Sequence, residues 1–193
     1  NVKNAGGHIG FSMAGKNDEE LLDLCRGFLP LIYAMHKKRL FNDYCKVKTI
    51  HELKSDGSKY QAIRLRGNYI EFRIFSSVKT FRTIEFRLEL FRIIASNLGA
   101  SFGKVCLMAI NINHPLHKLL TRVYNTRKAF QDLIETAIIM DRDFGTNRLT
   151  QKAVNNISDR IRRTFVEKEV SPEDKGIMGD SNIIPASDCD FIE

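Results

Sequence analysis

The chain runs to 193 residues, 43% of them hydrophobic, with a formal charge of +7. That is enough apolar material for one domain with a sizeable core, alone or with a tail; no apolar run approaches the roughly 20 residues that cross a bilayer, and the opening NVKNAGG lacks a basic region leading into an apolar core, so neither a signal peptide nor a membrane partner is expected. The positive balance admits polyanions, but it is dispersed, dense only at Lys37-Lys38-Arg39 and in the RIRR run at 160–163. No RNP sequence, C2H2 spacing or basic zipper accompanies it, so nucleic acid ranks last among expected partners.

Cys25, Cys45, Cys106 and Cys189 are far apart and show no CxxC spacing. They are expected to be reduced thiols, Cys25 and Cys106 buried, as in a cytoplasmic or virion-associated protein. No Met opens the chain, and the expectation is a processed or partial polypeptide.

In chain order, residues 5–13 (AGGHIGFSM) read as a glycine-opened strand. His8, Gly10 and Ser12 point one way and Ile9, Phe11 and Met13 the other. Asn17 and Glu20 have the spacing of a capping box. Leu21, Leu24, Cys25, Phe28, Ile32 and Met35 follow at helical intervals as a buried stripe, with Pro30 placed to kink or divide the helix. A basic run, HKKRLFNDYCK, leads to a turn at KSDGSK (54–59).

Residues 60–75, YQAIRLRGNYIEFRIF, alternate polar and apolar on both sides of Gly67-Asn68, the pattern of a two-residue hairpin. Such a loop pairs Leu65 with Ile70, Arg64 with Glu71 and Ile63 with Phe72. Ile63, Leu65, Ile70, Phe72 and Ile74 then share one face, and Arg64, Arg66, Glu71 and Arg73 the other. A carboxylate among three arginines suits a metal and a phosphate. It also suits a solvated sheet face on which Arg64 and Glu71 form a cross-strand pair of roughly 0.2–1 kcal/mol.

Residues 81–99 read as a helix with Ile84, Leu88, Phe91, Ile94, Ala95 and Leu98 inward and Glu85, Glu89 and Arg92 as surface charges. Ile84-Glu85-Phe86-Arg87 repeats Ile70-Glu71-Phe72-Arg73 by letter, and reads as a coincidence between helix and strand. Further helices are expected at 102–111, at 115–142 with a break near Asn125, and at 149–168. Pro115 favours a helix start, making His114 a cap rather than a ligand, and Asp143-Phe144-Gly145 marks a helix end. From Ser171 the sequence is polar and aperiodic, a tail that wanders or docks on a partner. The expected fold is α+β: a small antiparallel sheet from the His8 strand and the 60–75 hairpin, helices packed on one side, and a helical C-terminal half.

These pieces give Gly-Gly-His-x-x-x-Ser on a strand, a long helix, a basic segment with Arg39 and Tyr44, and a strand reading NYIEFR (68–73). Over residues 5–98 the sequence resembles the amidoligase family, the peptide-directed branch of the glutamine synthetase-like carboxylate–amine ligases. In that family a G-x-H-x-H strand is followed by a helix and by a strand carrying T-V-E-F-R. The resemblance implies that His8 and Glu71 hold a divalent metal and that Arg73 faces the transferred phosphoryl group. Arg64 or Arg66 is then a second clamp, with Arg39 and Ser12 on the cofactor side. It implies ATP with Mg or Mn, a carboxylate phosphorylated at the expense of ATP, and an amine that attacks the acyl phosphate to form an amide. Divalent ions neutralise phosphoryl charge, and guanidinium forks match phosphoryl oxygens.

The family's second histidine is Gly10 here, and its opening G-x-E-x-E strand has no counterpart ahead of His8. The expectation is therefore that residues 1–100 are the C-terminal half of such a ligase domain, 101–170 a helical extension and 171–193 a tail. The missing carboxylates would come from the N-terminal half of the same enzyme or from another subunit, and the substrate would be a peptide or protein carboxylate. The alternative is a non-catalytic structural or assembly protein of the same descent, such as a virion component, built into an oligomer or larger assembly.

Overall fold

The computed structural model describes residues 6–40, 42–145 and 148–165. The architecture is α+β. Strands β1 (Ile9–Phe11), β2 (Ile63–Leu65) and β3 (Ile70–Phe72) form an antiparallel sheet in the order β1-β3-β2, and helices make up the rest of the body. The hairpin register is the one that the alternation dictates: Ile63 pairs with Phe72, Arg64 with Glu71 and Leu65 with Ile70. Arg66 N–H donates to the Tyr69 carbonyl at 3.1 Å, and Gly67 takes a φ of 82°, a left-handed value that costs glycine little. Ile63, Ile70, Phe72 and Ile74 are fully buried, with Leu65 half-buried. β1 adds to the free side of β3, setting Ile9 opposite Phe72 and Gly10 opposite Glu71.

Helix α1 (Asp18–Cys25) starts at the Asn17–Glu20 capping box, with Glu20 N–H donating to Asn17 Oδ1 at 2.9 Å and Asn17 N–H to Glu20 Oε2 at 3.1 Å. The same helix start holds the hairpin tip, because Asp18 N–H donates to the Gly67 carbonyl at 3.1 Å and the Asp18 carboxylate accepts from Gly67 N–H. Pro30 divides the helix as expected. A 3-10 turn at Arg26–Phe28 separates α1 from α2 (Leu29–Met35), and Pro30 sits in the first turn of α2, where its missing N–H costs nothing.

A short helix α3 (Ile50–Ser55), capped by Thr49 and Glu52, takes in Lys54 and Ser55, so the turn expected at 54–59 begins only after it. Helix α4 (Phe81–Ala95) is present with Phe91 and Ile94 buried as expected, but the rest of its buried face differs from the expected stripe. Thr83, Phe86, Arg87, Leu90, Phe91, Ile93 and Ile94 face inward, while Ile84 and Leu88 are exposed. The inward phase is set by packing of Phe91 on Phe72 and Phe75, at ring-centroid distances of 4.9 and 5.9 Å.

Helices α5 (Phe102–Ile110), α6 (Pro115–Leu120), α7 (Arg127–Phe144) and α8 (Gln151–Thr164) complete the described chain, with the break near Asn125 where it was expected. His114 caps α6, accepting from Leu116 N–H at 3.1 Å. α7 packs along α2, and one hydrophobic core runs from Leu21 to Phe165 without a seam between the sheet and the helical half. Cys25, Cys45 and Cys106 are buried free thiols. Among the described residues no helix is long and apolar enough to cross a membrane. The tail expected from Ser171, and Cys189 within it, lie outside the described residues.

Candidate functional site

The open face of the sheet carries one carboxylate, and His8 and Arg66 close on it. Glu71 projects from the middle of β3, partly buried. Its Oε1 lies 3.0 Å from His8 Nδ1, and its Oε2 accepts from Arg66 Nε at 3.1 Å and Nη2 at 3.0 Å. Strand pairing dictates this convergence: Gly10 is the residue opposite Glu71, and His8 lies two positions back on the same side of β1. Arg64 stands directly across from Glu71 in the hairpin, yet the fork of Arg66, nearer the turn, grips the carboxylate. Partial burial works against the charged carboxylate. The Arg66 hydrogen bonds and charge, with His8 and Arg73 behind them, outweigh that cost and hold Glu71 below the usual carboxylate range.

A second set of cations lies on the far side of the Gly6–His8 segment. Gly7 N–H donates to the Phe75 carbonyl at 2.9 Å, and Gly6 bridges to Ser76, so this segment runs beside the chain leaving β3. A Cβ on Gly7 would stand 2.4 Å from the Ser76 carbonyl oxygen and 2.6 Å from Arg87 Nη1, so only glycine fits there. Arg87, 5% exposed, donates from Nη2 to the Ser76 carbonyl at 2.7 Å and lies over the Phe75 ring, 4.9 Å from its centroid. His36 meets the same ring edge-on, with centroids 4.8 Å apart.

Arg39 comes from the 3-10 turn Lys37–Arg39 that follows α2, and its Nη2 reaches within 3.3 Å of where a Gly6 side chain would begin. His8 Nε2 lies 3.6 Å from that same point. Arg66, Glu71, His8, Arg39, His36 and Arg87 therefore form one arc that passes under the glycines.

Charge is unbalanced along this arc. Among the described residues four buried side-chain polar atoms lack a hydrogen-bond partner: two belong to it, His36 Nε2 and Arg39 Nε, and a third, Arg73 Nε, lies on the strand that carries Glu71. A buried donor or acceptor left unmade costs about 1–3 kcal/mol. His36 as a residue is only half-buried, but its Nε2 is shut off from solvent. Burial, then the charges of Arg87 and Arg39, push its imidazole down to about 3, so it is neutral at ordinary pH. Burial, and after it Arg39, lower the Arg87 guanidinium to about 10.

Of the residues singled out from sequence, His8, Glu71 and Arg66 are in direct contact, and Arg73 acts on Glu71 through its charge. Arg39 belongs to the far side, and Ser12 is exposed beyond the end of β1. Sequence reading missed His36, Arg87 and Ser76. Arg87 lies in the inward phase of α4, in step with Thr83, Phe86, Leu90 and Ile94, a phase that the apolar but exposed Ile84 and Leu88 conceal in the sequence.

The metal donors on this face are one imidazole and one carboxylate. Among the described residues no group of three or more His, Cys, Asp and Glu side chains could hold a metal ion. This pair fits a divalent ion only where phosphate oxygens, water or a second polypeptide complete the shell, and only if Arg66 yields Glu71 Oε2. A groove of ≈ 550 Å³ elsewhere, on the outer face of α4, is lined by Arg82, Glu85, Glu89 and Arg122. Arg92 lines it too, and four of these five charges are already paired, Arg122 with Glu89 at 2.9 Å and Arg82 with Glu85 at 3.5 Å.

In comparisons of the chain with protein-family models, with curated proteins and with solved structures, nothing matches.

Proposed function

We propose that the chain supplies the arginine-bearing part of an ATP-dependent carboxylate–amine ligase site, acting on a peptide or protein carboxylate. The observation that supports this most is the convergence of His8 and Glu71, 3.0 Å apart on the open face of a sheet lined with guanidinium groups. In this reading His8 and Glu71 hold Mg or Mn, which neutralises phosphoryl charge when bound. Arg73 and Arg64, on the Glu71 face, meet the phosphoryl oxygens. Arg66 keeps the carboxylate ionised and in place until an ion takes it over, and Arg39 and Ser12 lie toward the nucleotide. The carboxylate oxygen attacks the terminal phosphorus and ADP leaves; the amine attacks the acyl carbon and phosphate leaves. The remaining acidic ligands are contributed by an N-terminal half or by another subunit.

One observation favours a second reading. Glu71 already has both oxygens engaged, by His8 and by the Arg66 fork, which is how a carboxylate that fastens a sheet looks. That reading is a non-catalytic assembly protein in which the triad ties β1 to the hairpin.

Thermal denaturation separates the two. The ligase reading expects Mn²⁺ added with ATP to raise the melting temperature above ATP alone, and Glu71→Ala to remove that increment. The assembly reading expects no Mn²⁺ increment in either protein, and that result would set the ligase aside.

A further inference from the structure

We infer that Arg39, Arg87 and His36 form a pocket for a doubly charged oxyanion of the phosphate class, opening to solvent beside Gly6. This goes beyond the ligase reading, with which it shares Arg39, and does not depend on it. It needs neither metal nor Glu71, and Arg87 and His36 stand outside the motifs that carry the family resemblance.

Three observations lead there. The first is charge. Arg39 and Arg87 are near enough for one to depress the other, and among the described residues neither forms an ion pair with a carboxylate. Glu71, the carboxylate on the other limb of the arc, is held by His8 and Arg66. Two uncompensated guanidiniums call for a charge of minus two, which sulfate or a phosphate monoester carries and a single carboxylate does not.

The second is hydrogen bonding. Arg39 Nε and His36 Nε2 are shut off from water and unpartnered, so the pocket holds unused polar capacity in addition to charge. Ser76 Oγ lies 3.4 Å from Arg87 Nη2 and adds a hydroxyl at the same place.

The third is shape. Phe75 fixes the Arg87 plane and the His36 ring at once, with centroid distances of 4.9 and 4.8 Å, so these groups are preorganised. Gly6 is exposed, and any side chain there would begin 3.3 Å from Arg39 Nη2 and 3.6 Å from His8 Nε2; glycine leaves the mouth open.

The test is calorimetric titration of the full chain in EDTA at constant ionic strength with sulfate, inorganic phosphate and acetate. Sulfate and phosphate are expected to bind one to one, with acetate at least about tenfold weaker. Arg39→Gln, at a partly exposed position, should weaken sulfate by about tenfold or more, while Arg92→Gln, exposed on α4, should leave it unchanged. Equal binding of acetate and sulfate, or wild-type sulfate affinity in Arg39→Gln, would overturn the pocket and leave an adventitious ion only. If Arg39→Gln fails to fold, the sulfate-over-acetate preference of the wild type decides alone. Glu71→Gln should leave sulfate binding intact or tighter while removing any Mn²⁺ response, so failure of the pocket and failure of the ligase reading are distinguishable.

Discussion

The two limbs of the arc beneath Gly6–His8 use the same residue types and reach opposite electrostatic ends. On the sheet limb, Arg66 and His8 close on Glu71, and every oxygen of the carboxylate has a partner. On the helix limb, Arg87 and His36 share the Phe75 ring, Arg87 donates to the Ser76 carbonyl, and Arg39 reaches toward Gly6 beside them, with no carboxylate among the three. The difference separates an ion pair that holds a fold together from a cluster whose cost is offset only by something else. Burial of unpaired charge is expensive, so the helix limb is the one that the physics marks as incomplete.

The largest expected effect comes from removing the floor that both limbs share. Phe72 is fully buried beneath β3, against Phe75 and Phe91. Phe72→Asp leaves an unpaired carboxylate in that space and should cost more than about 4 kcal/mol, enough to unfold the chain. Circular dichroism and thermal melts check it, and a folded variant would contradict the hairpin register.

A smaller effect should fall on one limb only. Gly7→Ala presses a methyl into the Ser76 backbone and Arg87 Nη1 and should cost about 1–3 kcal/mol. Because its clashes are all on the helix limb, sulfate affinity should fall with stability, while the His8–Glu71 pair is retained. Loss of stability without any change in sulfate binding would separate Gly7 from the pocket.

The most graded contrast is with pH. His36 is held well below the ordinary histidine value, near 3, so the unfolded chain takes up a proton first. The stability that neutral His36 retains is therefore fully present above about pH 6.5, the unfolded value, and is lost progressively as pH falls from there toward 3. The groups facing it are Arg39, Arg87 and the Phe75 ring. Glu71 also lies below its ordinary value, and its contribution is lost only at lower pH, below the ordinary carboxylate range. Urea denaturation at pH 7.5, 6 and 5 should show stability declining already between 7.5 and 5, and His36→Gln should flatten that slope; an unchanged slope would remove His36 as its source.

The hairpin was legible because a period of two and a Gly-Asn turn fix register together, and register put Glu71 on the open face; that the His8 strand pairs with β3 was expected only from the family resemblance. The α1 cap and the division at Pro30 were legible for similar local reasons. The phase of α4 was not. Ile84 and Leu88 are apolar but exposed, Arg87 is charged but buried, and the choice between faces was made by Phe72 and Phe75, which are close to α4 only in space. The helix limb was hidden for the same reason. His36 and Arg39 end one helical segment, Arg87 lies inside another, and Ser76 lies between strand and helix. No spacing in the sequence connects them. The short helix α3 did carry its own signal, Thr49 with Glu52, between the basic run and the turn.

The central claim is that the helix limb lacks a counter-ion and the sheet limb does not. A crystal structure of the full chain grown in sulfate tests it most directly. The account predicts a tetrahedral anion within hydrogen-bond distance of both Arg39 and Arg87, with Glu71 still held by His8 and Arg66. Arg39 and Arg87 paired to a carboxylate of the chain itself, with no anion between them, would contradict it.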